Sequence, residues 1–182
     1  MPKLSSEFKR QVKLLTAGDL EKIVLKCAGR DRFAYEFILV NFLNPEYGEE
    51  DLFESYKKEL DELSRKSFAG RTESKRLSKM LKASAQLVTQ FKQVVKKPHL
   101  EVELYLHLLD LQFEMIPQNL HGRYQVYDNA LARVLKKVLD LVQNKLHEDY
   151  LIEYRGKING FLLTLQRLAP YNSNVKDLPG KI

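Results

Sequence analysis

The sequence predicts an all-α protein of about eight antiparallel helices, packed as hairpins in an irregular bundle or a short α-α superhelix. Apolar residues recur every three or four positions along most of the 182-residue chain, which is the spacing of one helix face. With 8 glycines and 6 prolines, the chain has little of the turn chemistry that a many-stranded sheet requires. The connectors between the periodic segments are short, which favours antiparallel packing of neighbouring helices.

The first two helices are predicted at about residues 4–15 and from the segment after Thr16 to about Ala28. Thr16 can accept a hydrogen bond from a first-turn amide, and Asp19 places a negative charge at the positive end of the helix dipole. Gly29 fits the end of the second helix.

The third and fourth helices are predicted at about residues 32–43 and 49–68. Asp31 can cap the third helix. Pro45 ends it, because proline lacks an amide proton and disfavours helical backbone in the residue before it. The acids at 49–51 then place negative charge in the first turn of the fourth helix.

Prolines and short connectors separate the remaining helices. Pro98 divides the fifth helix from the sixth, and Pro117 begins a loop that ends at Gly122. These four helices are predicted at about residues 73–97, 98–116, 123–146 and 148–168.

The whole pattern predicts one domain over residues 1–168, with a weak internal boundary near Gly70. Residues 169–182 are rich in Pro, Asn and Gly and are expected to form an extended tail. The only cysteine, Cys27, is expected to be a small buried thiol. No disulfide, signal peptide or membrane-spanning segment is expected, and these features predict a cytoplasmic protein.

Positive charge is concentrated in residues 64–97. This segment holds ten Lys or Arg and one acid, Glu73, so it carries +9, whereas the whole chain carries +6. The candidate binding residues, which we call the basic stripe, are Arg71, Lys75, Arg76, Lys79 and Lys82. The stripe is typical of a surface that binds phosphate backbones, anionic lipid or an acidic protein. Alternatively, it is a solvated helix face whose lysines pair with acids of neighbouring helices.

The sixth helix has a narrow polar strip on an otherwise apolar surface, and its members are His99, Glu103, His107, Asp110 and Glu114. A helix that is apolar on most sides is typical of the centre of a bundle. Because they share a face, His99, Glu103 and His107 are weak candidates for metal ligands. The alternative is an exposed strip, or one that forms salt bridges with the fifth helix, and no metal or other cofactor is predicted.

Two strings in the chain resemble a small all-helical bacterial family of unknown function. They are the segment 44–53, with Asn-Pro-Glu and then Glu-Glu-Asp-Leu-Phe, and the segment 145–150, Lys-Leu-His-Glu-Asp-Tyr. The resemblance implies an intracellular bacterial protein of about this size. It assigns no activity and no functional residue.

The chain lacks a glycine-rich phosphate loop, a Gly-x-Ser-x-Gly motif, a His-Glu-x-x-His motif and an EF-hand loop. We therefore expect a non-enzymatic helical scaffold that binds a protein partner, with the basic stripe as its contact surface. The alternative is a nucleic-acid-binding protein that uses the same basic segment on phosphates. A metal-dependent enzyme centred on the sixth helix is the third hypothesis, and the oligomeric state is left open.

Overall fold

The computed structural model describes residues 4–46, 48–115 and 124–182. Every regular element within those ranges is helical, which confirms the all-α prediction. The elements are α1 (Ser6–Val12), α2 (Ala17–Ala28), α3 (Arg32–Ile38), a π-helical turn (Leu39–Leu43), α4 (Gly48–Arg65), α5 (Glu73–Val94), α6 (Pro98–Met115), α7 (Gln125–Lys145), α8 (Glu148–Leu168) and α9 (Ser173–Lys176). The predicted loop at 117–122 lies outside the described residues.

The chain divides into two compact units, residues 1–48 and 49–182. The boundary falls at the start of α4, where Gly48 packs closely on the π-helical turn. A Cβ atom at Gly48 would lie 3.2 Å from the Cα atom of Val40, so a larger residue would require the backbone to move. The single domain stays a prediction, and the boundary suggested near Gly70 lies inside the second unit.

The first unit is built from locally capped helices. Asp19 N donates to Thr16 Oγ1 over 3.2 Å at the start of α2, as the sequence predicts. Asp31 caps α3 in the same manner, and α3 packs on α2. Neither α1 nor α2 contains a buried residue. The prediction of a buried thiol is therefore wrong, because Cys27 lies on α2 and is exposed.

Helix α6 is the centre of the second unit. It packs on α5, α7 and α8, and residues on most of its circumference are buried. The buried apolar residues of α6 are Val102, Leu104, Tyr105, Leu106, Leu108 and Leu109. This confirms the prediction from its apolar circumference, since such a helix is stable only when other elements surround it.

Helix α5 packs on α6, and both α4 and α5 carry periodic apolar faces. On α4, Leu52, Tyr56 and Leu60 recur every four residues and are buried. The Tyr56 ring meets the Phe91 ring of α5 edge-on, with 5.3 Å between the ring centroids. Because α5 buries this face, the side that carries its lysines points to solvent.

The segment after α8 is packed and partly helical, whereas the sequence favours an extended tail. Its short helix α9 lies against α7, and Val175 and Leu178 are 1% and 6% exposed. Asn174 Nδ2 donates to Asn129 Oδ1 of α7 over 2.8 Å. Two apolar residues three positions apart therefore anchor a segment whose composition is otherwise typical of a loop.

Among the described residues, no helix combines the length and the apolar character needed to cross a membrane.

Candidate functional site

The basic stripe lies at the start of α5 and faces solvent. Thr72 caps this helix by accepting from Lys75 N over 3.3 Å, which fixes where the helical turns begin. The buried residues of α5 follow on the opposite side and include Met80, Leu81, Leu87, Val88 and Phe91. All five residues of the stripe are exposed: Arg71, Lys75, Arg76, Lys79 and Lys82. The helical spacing predicts this exposure for Lys75, Lys79 and Lys82, which share one sector of α5.

No carboxylate of the described residues lies within 4.0 Å of a charged nitrogen in the basic stripe. Glu73, the acid nearest in sequence, accepts a hydrogen bond from Tyr124 Oη over 2.7 Å. Near the other end of α5, Lys92 contacts Glu101 over 2.8 Å, and just beyond the helix Lys97 contacts Glu49, whereas Lys96 has no carboxylate partner among the described residues. Within α5 itself, the unpaired positive charge is thus confined to the first half of the helix.

The polar strip of α6 meets α4 and α8, and does not pair with the basic stripe. His107 Nε2 lies 2.8 Å from Asp61 Oδ1 of α4, and Asp110 pairs with Lys157 of α8 over 2.5 Å. Glu103 accepts from Tyr154 Oη over 3.1 Å. Pairing of this strip with the lysines of α5 therefore does not occur at these residues, and the strip binds the central helix to its neighbours.

The three weak metal candidates each have a different neighbour. The ring of His99 stacks on Tyr150 with 5.5 Å between centroids, whereas Glu103 and His107 have the partners just described. Within residues 4–46, 48–115 and 124–182, no three His, Cys, Asp or Glu side chains converge as a metal site would require. The described residues therefore offer no donor set for the metal-dependent chemistry considered from the sequence.

A shallow groove between α5 and α7 extends the positive surface, and we call it the basic groove. It has a volume of about 250 Å³. Its lining residues are Lys82, Ala85, Gln86, Thr89, Tyr105, Arg133, Val134 and Lys137. The basic groove thus combines cations from two helices with a floor that includes Ala85 and Val134. Sequence reasoning missed its α7 side, although Arg133 and Lys137 lie four residues apart and so share a helix face.

Buried Glu101 partly neutralises one end of the basic groove. This side chain is 2% exposed and lies 3.5 Å from Lys137 Nζ. Burial alone would lower the pKa of Lys137, but hydrogen bonding to Tyr105 and the charge of Glu101 raise it. Lys137 is therefore held as a cation with a counter-ion, whereas Lys82 and Arg133 have no carboxylate partner among the described residues.

No protein-family model, curated protein or solved structure matches this chain.

Function is therefore inferred from the geometry alone. The resemblance to an uncharacterised bacterial family stays a prediction and places no residue in a site. The structural elements that could recognise a partner are the basic stripe on α5 and the basic groove beside it, which share Lys82.

Proposed function

We propose that this protein is a non-enzymatic helical scaffold that binds an acidic segment of another protein through the basic stripe and the basic groove. The observation that carries the proposal is the absence of a carboxylate partner, within the described residues, for any of the five stripe cations. Exposed cations that are already paired offer little to a partner, whereas unpaired ones add electrostatic attraction and speed association.

The chemistry of the basic groove favours a protein partner over a nucleic acid. Ala85 and Val134 give the groove apolar surface that can accept an aliphatic side chain, and Lys82 and Arg133 can bind carboxylates on either side of it. An amphipathic acidic helix carries both features at i and i+4 spacing. Nucleic-acid binding by stacking needs exposed rings, but the groove's aromatic residue, Tyr105, is 1% exposed.

The expected affinity is modest. An exposed ion pair contributes about 0.2–1 kcal/mol, so three lysines together supply roughly 0.6–3 kcal/mol, which is about a threefold to 150-fold change in Kd. Burial of an aliphatic side chain in the groove adds about 1–2 kcal/mol. Charge reversal in the stripe should therefore weaken binding strongly, and a change in the groove floor should weaken it independently.

The test uses fluorescence anisotropy with defined probes: a labelled amphipathic Glu/Leu peptide, a scrambled peptide of the same composition, single-stranded DNA and duplex DNA. We expect the amphipathic peptide to bind more tightly than its scrambled form. The triple variant Lys75→Glu, Lys79→Glu, Lys82→Glu should reduce this binding by at least about tenfold.

Matched controls separate the surface from the total charge. The variant Lys58→Glu, Lys145→Glu, Lys181→Glu changes the net charge equally at exposed lysines elsewhere in the second unit and should bind like the wild type. Ala85→Glu leaves the stripe intact but places a carboxylate in the groove, so it should also abolish the preference for the amphipathic peptide.

Two results would contradict the proposal. Equal binding of both peptides would contradict the proposal. Binding that is unchanged in the triple lysine variant would show that the basic stripe is not the binding surface. Tight DNA binding that weakens steeply with salt, with no peptide binding, would establish the nucleic-acid alternative instead.

A further inference from the structure

A second cavity lies at the bend where the chain leaves α8 and enters α9, away from the basic groove. We call it the elbow cavity, and its volume is about 560 Å³, which is within the range of small-molecule sites. The described residues that line it are Gln125, Asp128, Arg167, Leu168, Ala169, Pro170, Tyr171 and Asn172. Its walls therefore come from the first turns of α7, the end of α8 and the bend itself.

The wall formed by the bend is fixed by hydrogen bonds and packing. Asn172 Oδ1 accepts from Asn174 N over 3.0 Å and so caps α9, while Asn174 Nδ2 binds Asn129 of α7. Val175 is buried behind the bend. The side chain of Asn172 therefore has a defined position, and its amide orientation follows from the cap.

Three polar groups of the elbow cavity have no partner in the part of the chain that the structure describes. Asn172 Nδ2 is buried and donates no hydrogen bond. The Asp128 carboxylate and the Arg167 guanidinium have no hydrogen bond or ion pair, either with each other or with any other described residue. Buried polar groups in folded proteins almost always have partners, so the unsatisfied Asn172 Nδ2, beside the part-buried Asp128 and the exposed Arg167, points to a ligand in the cavity.

The charges of Asp128 and Arg167, together with the free donor of Asn172, indicate which chemical class of ligand fits the cavity. An anion alone would satisfy Arg167 and Asn172 but would face the carboxylate of Asp128. A cation alone would satisfy Asp128 but would leave Arg167 and Asn172 without an acceptor. A molecule with both charges matches all three groups, because it offers a donor to Asp128 and an acceptor to Arg167 and Asn172.

We propose that the elbow cavity binds a free amino acid or short peptide, with its ammonium group on Asp128 and its carboxylate on Arg167 and Asn172 Nδ2. The apolar walls at Leu168, Ala169 and Pro170 accept its side chains. Half-burial of Asp128 supports this assignment, because a carboxylate without a counter-ion is costly there and the ligand's ammonium group provides one. This site is independent of the proposed function.

The experiment is a calorimetric titration of the full chain with three matched probes: leucyl-leucine, acetyl-leucyl-leucine and leucyl-leucine amide. The first carries both charges, and each of the others lacks one. We expect leucyl-leucine to bind at least about tenfold more tightly than either capped form. In parallel, the side-chain amide resonance of Asn172 should shift in the ¹H–¹⁵N spectrum on titration, which locates the ligand.

Variants then assign each charge. Asp128→Asn should remove the advantage of leucyl-leucine over its acetylated form, and Arg167→Gln should remove its advantage over the amide. Arg30→Gln, which neutralises an exposed arginine of the first unit that lines neither the basic groove nor the elbow cavity, should change none of these affinities.

Several outcomes would overturn the assignment. They are equal binding of all three probes, an unmoved Asn172 resonance at saturating leucyl-leucine, or the same resonance shift with inorganic phosphate alone. None of them bears on the peptide test of the basic groove, so the two proposals fail separately.

Discussion

Replacement of Asp128 by asparagine should stabilise the protein at neutral pH. Burial raises the pKa of this carboxyl from its ordinary value of 3.8 to about 6. Because the folded state disfavours the ionised form, the folded protein binds a proton more readily than the unfolded chain does. Asparagine keeps nearly the same shape and never ionises, so the substitution removes the cost of a half-buried charge.

The raised pKa of Asp128 determines the pH range in which Asp128→Asn changes the stability. The contribution of Asp128 to folding is most favourable below about pH 4, where the carboxyl is neutral in both states. This favourable contribution is lost as the pH rises from the ordinary pKa of the carboxyl towards about 6. Above pH 6 the contribution of Asp128 no longer changes with pH. The advantage of Asp128→Asn should therefore be near zero in acid, and should reach its maximum above pH 6.

The size of the stability gain from Asp128→Asn depends on how far the Asp128 side chain is exposed to solvent. A fully buried group with this difference in pKa would change the free energy of unfolding by ~3 kcal/mol. Asp128 is only partly buried, so solvent screening reduces this to roughly half. Its place in the first turn of α7 offsets about 0.5 kcal/mol more, because the helix dipole favours an acid there. The net expectation is about 1 kcal/mol, or a Tm increase of roughly 2–4 °C.

The assay is urea denaturation of both proteins, followed by circular dichroism at several pH values from acid to neutral. Asp177→Asn removes an exposed carboxylate and should change the stability by less than about 0.5 kcal/mol. A variant that is less stable than the wild type at neutral pH, or an advantage that is equal at every pH, would refute this reasoning about Asp128.

Three further predictions concern the core, a buried ion pair and an exposed thiol. Val175→Ala should lower the free energy of unfolding by about 1–3 kcal/mol in a urea melt, whereas the exposed control Leu163→Ala should change it by less than about 0.5 kcal/mol; equal effects would mean that α9 is not packed. Glu101→Gln should cost about 1–3 kcal/mol in the same assay, because a buried carboxylate shared by two lysines is lost; an unchanged midpoint would contradict that pairing. Cys27 should react with maleimide in the folded protein about as fast as in urea, followed by mass spectrometry; protection in the folded state would contradict the exposure of α2.

The sequence predicted helices well because the signals that start them are local. Thr16 and Asp31 accept hydrogen bonds from amides only two or three residues away, so their role as helix caps can be predicted without knowledge of the tertiary structure. The same holds for α8, whose predicted limits agree with the structure. His147 caps the start of α8 by accepting a hydrogen bond from Asp149 N.

Partners distant in the chain were not predictable. Asp61 and His107 are 46 positions apart, and no periodicity links them. For the same reason, the polar strip of α6 and the basic stripe looked like natural partners by charge, yet the polar strip pairs with α4 and α8 and the basic stripe faces solvent. The exposure of the lysines in the stripe was predictable from the helical spacing, but the contribution of Arg133 to the basic groove depends on how α7 lies beside α5.

The bend after α8 shows where composition misleads. Pro170 and Pro179 favour an extended segment, and the short helix between them is too brief to give a periodic signal. Its position depends on Val175 and on the amide pair with Asn129, both of which need the folded protein. The elbow cavity follows from this bend, so no reading of the sequence could have found it.

The apolar circumference of α6 has a consequence for how this chain is synthesised. Residues 98–115 are made before α7 and α8, which in the finished protein cover two of the sides of α6. At about 5–20 residues per second, a nascent chain exposes such a helix for several seconds before its later neighbours emerge. During that interval the apolar surface of α6 lacks two of its covering helices, and transiently exposed apolar surface of this kind favours aggregation.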